Sequence, residues 1–186
     1  MGQLIEWKKY KLVLFDFDNT MYEPKRLAPY IVMDDIIYSL YPFNERKVRK
    51  GIAGHDFGSA DEFHRVLFER IATRLGKTPE KVSKWYFNRY MPTLKRILKR
   101  HFKARRNLQD VIDTLENKGV MVGVLSDYGC VKERLEAIGI HVNEQRLWST
   151  EEAGAPKPCP RCIHEIAQRT GIRVEEILMI GDRPDT

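Results

Sequence analysis

Short apolar runs that stop at polar groups alternate with helical patterns over much of this chain. The first, Leu12-Val13-Leu14-Phe15, has no polar alternation and ends abruptly in Asp16-Phe17-Asp18-Asn19-Thr20. A strand that is apolar at every position is one covered on both faces, as in a parallel sheet. Val120 to Leu125 repeats the pattern and runs into Ser126-Asp127, a weaker strand is expected around Leu147-Trp148, and Ile177 to Ile180 leads into Gly181-Asp182. Between them, Leu108, Val111, Ile112 and Leu115 mark one helix ending at Gly119. Val131, Leu135 and Ile138 mark a second ending at Gly139, and Ile163, Ile166 and Ala167 a third ending near Gly171. Strand, helix and strand in alternation predict an α/β fold with a doubly wound parallel sheet.

Residues 22 to 102 interrupt that alternation with helical spacing and no strand. Phe63, Val66, Leu67, Ile71 and Leu75 recur at helical intervals, with Gly76 as a C-terminal cap. Thr78-Pro79-Glu80 reads as an N-cap, a proline at the first helical position and an early acid. Val82, Trp85, Tyr86 and Tyr90 continue until Pro92, which is expected to break or restart the helix before Leu94, Ile97 and Leu98. Leu27, Ile31, Ile36, Ile37 and Leu40 suggest an earlier helix closed by Tyr41-Pro42, with Gly51, Gly54 and Gly58 in loops. The predicted organisation is therefore a catalytic core of residues 1–21 and 103–186 with an all-helical insertion at 22–102.

Composition narrows the setting. The 186 residues suit one core with an insertion, and no apolar stretch reaches membrane-spanning length. Residues 1 to 11 lack the apolar region of a signal peptide, and three cysteines are too few for a disulfide framework, so the cytoplasm is the expected location. The net charge of +6 is uneven, since residues 22 to 102 hold 17 Lys/Arg against 9 Asp/Glu. A positive segment beside an acidic site could draw in anions, although solvated helix faces are the plainer account.

Candidate chemistry lies at the strand ends, where ligands of open parallel sheets bind. If the extended geometry continues past Phe15, Asp16 and Asp18 point the same way while Phe17 packs. Two acids in one crevice call for a hard divalent cation, a division into acid and base, or both. Taken singly, each signal has a plain structural account: an Asp-rich turn, Ser126 in a turn, Lys157 on the surface beside its prolines, Gly181-Asp182 as a tight turn. Their occurrence in this order at strand and loop ends is what changes the balance.

Together these motifs resemble the haloacid dehalogenase-like hydrolase superfamily. Asp16-Phe17-Asp18-Asn19-Thr20 is similar to its nucleophile motif, Ser126 to its second, Lys157-Pro158 to its lysine motif, and Gly181-Asp182 to the start of its acidic motif. The resemblance implies a Rossmann-like core and a helical cap inserted after the first motif. It also implies a Mg²⁺-dependent phosphomonoesterase working through an aspartyl-phosphate. Asp16 would be the nucleophile, Asp18 the acid and then base, Ser126 a donor to the phosphoryl group, and Lys157 its counter-charge. Asp16, the backbone carbonyl of Asp18 and Asp182 would hold Mg²⁺. An acid at Asp18 favours phosphoryl transfer over dehalogenation, because cleaving a carbon–halogen bond needs no protonated leaving oxygen. The expected partner is a small phosphorylated metabolite of the nucleotide or sugar phosphate class, with no membrane. Asn19-Thr20-Met21-Tyr22 also resembles a variant found in some pyrimidine nucleotidases of the superfamily.

Two rival readings remain open at this level. One is a phosphotransferase or mutase of the same superfamily; the other is a non-catalytic protein binding phosphate or nucleic acid. The basic run Lys95, Arg96, Lys99, Arg100, Lys103, Arg105 and Arg106 has few aromatics interleaved, which argues against nucleic acid. Cys159-Pro-Arg-Cys162 lacks the second pair or histidines that zinc requires. The family's acidic motif commonly places a second Asp beyond the last residue here, Thr186, with Asp185 at the wrong spacing. A truncated core with weakened metal binding and an uncovered strand at Ile177 to Ile180 is therefore also expected.

Overall fold

The computed structural model describes residues 9–23, 27–34 and 38–182. Strand β1, Leu12–Phe15, lies inside a parallel sheet with β2, Met121–Ser126, on one side and β4, Ile177–Ile180, on the other. The remaining strand, β3, Leu147–Ser149, pairs with β2, giving the order β3-β2-β1-β4. Register sets Phe15 opposite both Val124 and Ile180. The strand order reverses beside β1, which opens the crevice where doubly wound sheets bind ligands.

Side-chain alternation explains why β1 is apolar throughout. Val13 and Phe15 enter a core shared with Val122, Val124 and the helical insertion, whereas Leu12 and Leu14 enter a second core with Leu125, Cys162 and Ile166. The helices on these faces include α6, Leu108–Asn117, α7, Val131–Ile138, a short α8, Thr150–Ala153, and α9, Arg161–Thr170. Gly139 and Gly171 take the left-handed conformation just past α7 and α9, as expected of a C-terminal stop.

Between β1 and α6 the described chain is helical. It forms α1, Leu27–Asp34, α2, Leu40–Gly51, α3, Ala60–Leu75, α4, Pro79–Trp85, and α5, Met91–His101. The Ser59 side chain accepts from the Glu62 N–H at 3.2 Å, and Gly76 closes α3 in the left-handed region. Two prolines act differently from expectation. Pro42 lies in the first turn of α2 rather than closing a helix, because an early helical N–H needs no partner there. Pro92 does not interrupt the chain: a π-helical turn, Tyr86–Tyr90, joins α4 to α5, and its wider winding accommodates the proline ring and the missing N–H. Ile36, Ile37 and Asp185, named above, lie outside the described residues.

A bridge between Tyr22 and Ala104 pairs the two chain segments that lead into and out of these helices. The loop before α3 docks on the loop after α8, with Gly54 N–H on Pro156 O at 3.1 Å and Phe57 N–H on Gly154 O at 2.8 Å. Gly154, at φ +69°, is pressed against Ser59; a Cβ there would lie 2.1 Å from the Ser59 carbonyl oxygen. No helix among the described residues is long and apolar enough to cross a membrane.

Candidate active site

Asp16 extends the β1 ladder by one residue, its N–H donating to Ile180 O at 2.8 Å. The chain then turns. Asn19 adopts φ +60°, a conformation Asn tolerates, and the Met21 N–H closes on Phe17 O at 3.1 Å. Arg105 pins the outside of this turn through Thr20 O at 2.7 Å and Asn19 O at 2.8 Å. Phe17 packs with no exposed surface, as the alternation predicts, and the two acids stay at one end of the strand.

They are held by different cations. Lys157, from the loop before α9, forms a buried ion pair with Asp16 Oδ1 and donates to Leu125 O at 3.1 Å, with Asp127 Oδ1 at 4.0 Å. Asp16 Oδ2 accepts from Thr20 Oγ1 at 3.3 Å. Burial pushes the Asp16 carboxyl above the ordinary range, Lys157 pulls it back, and Asp18 and Asp127 push it up again. Asp18 instead faces Arg134 of α7, whose Nη2 lies 2.6 and 2.7 Å from its two oxygens. The Tyr22 hydroxyl adds a bond to Asp18 Oδ1 at 2.9 Å, and burial and the Asp18 charge hold that phenol protonated. Ser126 ends β2 with no exposed surface and accepts from Arg134 Nη1 at 2.7 Å and from the Tyr128 N–H at 3.2 Å. Asp182, past β4, meets the Asn19 amide at 3.3 Å.

The sequence-predicted residues thus converge: Lys157 on Asp16, Arg134 joining Asp18 to Ser126, and Asn19 joining the first turn to Asp182. The donors suit a hard ion. Asp16 and Asp182 stand on adjacent strand ends, Asp16 and Asp127 flank Lys157, and Asp18 and Asp127 are both near enough to Asp16 to raise its carboxyl. Among the described residues no three His, Cys, Asp or Glu side chains form a closed cage. Mg²⁺ fits such a site, since it uses one or two carboxylates and completes its shell with water and phosphate oxygens.

A second polar cluster lies where the helical insertion meets the core. Arg49 of α2 donates to Glu45 Oε1 at 2.6 Å, to Asp127 O at 2.9 Å, and to Glu151 Oε2 and Tyr86 Oη, each at 3.1 Å. Its guanidinium lies 4.2 Å over the Tyr128 ring. Glu151 also accepts from Tyr86 Oη at 2.7 Å and pairs with His64 Nε2 at 2.8 Å, while the Tyr128 hydroxyl reaches Glu45 Oε2 at 3.1 Å.

Sequence reasoning named neither Arg134 nor this cluster, though a signal existed. Val131, Arg134, Leu135 and Ile138 form one helical stripe, as do Tyr41, Glu45, Val48 and Arg49, so charged residues occupy core positions. Conversely, part of the basic run is used internally: Arg96 pairs with Asp34, Lys95 lies 3.8 Å from Glu133, and Arg105 holds the first turn. Cys159 and Cys162 are free and buried, and burial pushes the Cys162 thiol up to about 12.

Comparison with known proteins bears on the family and the fold. The family model for haloacid dehalogenase-like hydrolases matches residues 10–185. A protein of Methanopyrus kandleri named glyceraldehyde 3-phosphate phosphatase is 29% identical over 188 residues, 94% of this chain and 76% of its own. A Methanothermobacter thermautotrophicus protein of the same name is 26% identical over 181 residues, covering 93% and 77%. Among solved structures, a predicted phosphoglycolate phosphatase from Haemophilus somnus superposes with a TM-score of 0.61 at 19% identity, covering 97% of this chain and 79% of that one. A 2-haloacid dehalogenase from Pseudomonas syringae pv. Tomato gives 0.59 at 18%, covering 95% and 79%. At such identities the structures establish the shared fold alone.

Proposed function

This chain belongs to the haloacid dehalogenase-like hydrolases, and from that premise we propose that it is a Mg²⁺-dependent phosphomonoesterase acting on small sugar phosphates through an aspartyl-phosphate on Asp16. The carrying observation is the buried Asp16–Lys157 pair at the carboxyl end of β1, with Asp18 two residues on. Burial raises the Asp16 carboxyl, and Lys157 opposes that push, favouring the carboxylate form that a nucleophile needs.

In the first step an Asp16 oxygen bonds to phosphorus as the ester P–O bond breaks, and Asp18 gives its proton to the departing oxygen. In the second, Asp18 takes a proton from water, whose oxygen attacks phosphorus and returns Asp16 as a carboxylate. Ser126 donates to a phosphoryl oxygen, and Lys157 offsets the charge spread over phosphate and nucleophile. Asp16, the Asp18 carbonyl and Asp182 would hold Mg²⁺, which when bound supplies further neutralisation of phosphoryl charge.

We read residues 22–102 as a cap over this site, its two crossings joined at Tyr22 and Ala104, and the cytoplasm as its location. The names of the two archaeal relatives put a phosphorylated triose first among candidate substrates. The test is a panel of triose, sugar and nucleoside monophosphates plus an aryl phosphate, assayed with Mg²⁺ or with excess EDTA. Phosphate release is expected with Mg²⁺ alone, and Asp16→Asn should abolish it. Substantial turnover in that variant, or an undiminished rate in EDTA, overturns the reading.

A further inference from the structure

Arg134 is the largest side chain in the described structure with no exposed surface, and it occupies a core position on α7. An apolar residue of similar volume would pack there at lower desolvation cost, since buried ion pairs often contribute less stability than the hydrophobic groups that could replace them. The guanidinium stacks 4.1 Å over the Phe17 ring, and its Nε has no partner among the described residues. Its two terminal nitrogens both point at groups of the proposed reaction.

We propose that Arg134 is a positioning residue that sets the orientation of Asp18 and Ser126 together; the inference rests on the roles assigned to those two residues above. At Ser126 the hydroxyl oxygen has two lone pairs, and both are occupied, by Arg134 Nη1 at 2.7 Å and the Tyr128 N–H at 3.2 Å. Its own proton must therefore point away from both, so the hydroxyl is fixed as a donor, the role a phosphoryl oxygen requires. At Asp18, Oδ1 receives two donors, Arg134 Nη2 at 2.6 Å and Tyr22 Oη at 2.9 Å. Among the described residues Oδ2 receives Arg134 Nη2 alone, at 2.7 Å. The less occupied Oδ2 is then the oxygen left open to face a bound ester. The Asp18 side chain is 27% exposed, in contrast to fully enclosed Arg134, so it can reach a bound ester. One rigid plane thus fixes the acid of the first turn relative to the donor that ends β2.

The test uses leaving groups of different quality. An aryl phosphate departs as a stable phenolate and needs little proton transfer, whereas an alkyl phosphate such as a triose phosphate depends on it. Arg134→Lys keeps the charge but cannot serve both partners in one plane, and Arg134→Gln keeps one amide donor. In either variant kcat for the alkyl ester is expected to fall at least tenfold more than kcat for the aryl ester, at an unchanged circular dichroism spectrum. Inhibition by inorganic phosphate should weaken several-fold as Ser126 loses its fixed direction. Equal losses on the two esters, or none, in a variant that keeps its spectrum would reduce Arg134 to scaffolding and overturn the proposal. Asp18→Asn is measured alongside: the same ester selectivity supports the premise, and equal losses there would overturn the proposal through its premise instead. The second variant carries the test if the first does not fold.

Discussion

Glu151 carries the polar junction between the insertion and the core, with both oxygens engaged by His64, Tyr86 and Arg49. Burial alone would raise its carboxyl, but these three partners outweigh it and hold the group below its ordinary range. A depressed carboxylate contributes stability that is present above its ordinary value of 4.5 and is lost as pH falls through the depressed one. Glu151→Gln should therefore cost about 3 kcal/mol at neutral pH, near the low end for a broken buried pair because Glu45 still faces Arg49. The deficit against wild type should shrink as pH drops below 4.5, as urea titrations across that range would show. Asp16, Asp18, Ser126, Lys157 and Asp182 were legible in the sequence because each stands where a pattern stops, at the end of an apolar run or beside prolines. Arg134, Glu45 and Arg49 were not, because reading a helix by its apolar residues passes over a charge lodged in the same stripe, and only a tertiary partner reveals why it is there.

At the level of elements, the apolar runs gave the strands to within a residue or two. Met121–Ser126 stands one residue on from the expected Val120 to Leu125, and the weak strand at Leu147 is real. Pairing order and the fit between loops were not legible, since both depend on contacts far apart in sequence. The prolines were misjudged for physical reasons: Pro42 falls in a first turn, where a missing N–H is harmless, and Pro92 follows a π-helical turn whose wider winding takes in its ring. Gly154 shows how tightly the loops fit. Its left-handed φ and its contact with Ser59 leave no space for a methyl group, and Lys157 lies three residues further on. Gly154→Ala should destabilise by about 1–3 kcal/mol from overpacking and strain. It should also lower kcat by displacing the Lys157 loop, with thermal unfolding and steady-state rates as the readouts.

Taken whole, the molecule is a small acidic crevice in a chain of net charge +6, most of whose excess positive charge lies in residues 22–102. Long-range attraction of an anionic ester by that segment acts on encounter rather than on the chemical step, and salt screens it: the Debye length falls from about 30 Å at 0.01 M to about 8 Å at 0.15 M. kcat/KM for a phosphomonoester should thus drop as NaCl is raised through that range while kcat changes little. A salt-independent kcat/KM would assign the basic helices to solvation alone.

The bridge between Tyr22 and Ala104 bears on heredity as much as on shape. Because it brings the two ends of the helical segment side by side, whatever chain lies between them leaves the distance from β1 to α6 unchanged. Lengthening a loop whose ends already meet costs little in closure entropy, about 0.6 kcal/mol for each doubling of length. A lineage can therefore exchange, enlarge or pare down the intervening helices while the strand ends that carry Asp16, Ser126 and Asp182 stay where they are. In that sense the bridge is a seam, along which the insertion can diverge without the sheet beneath it being rebuilt.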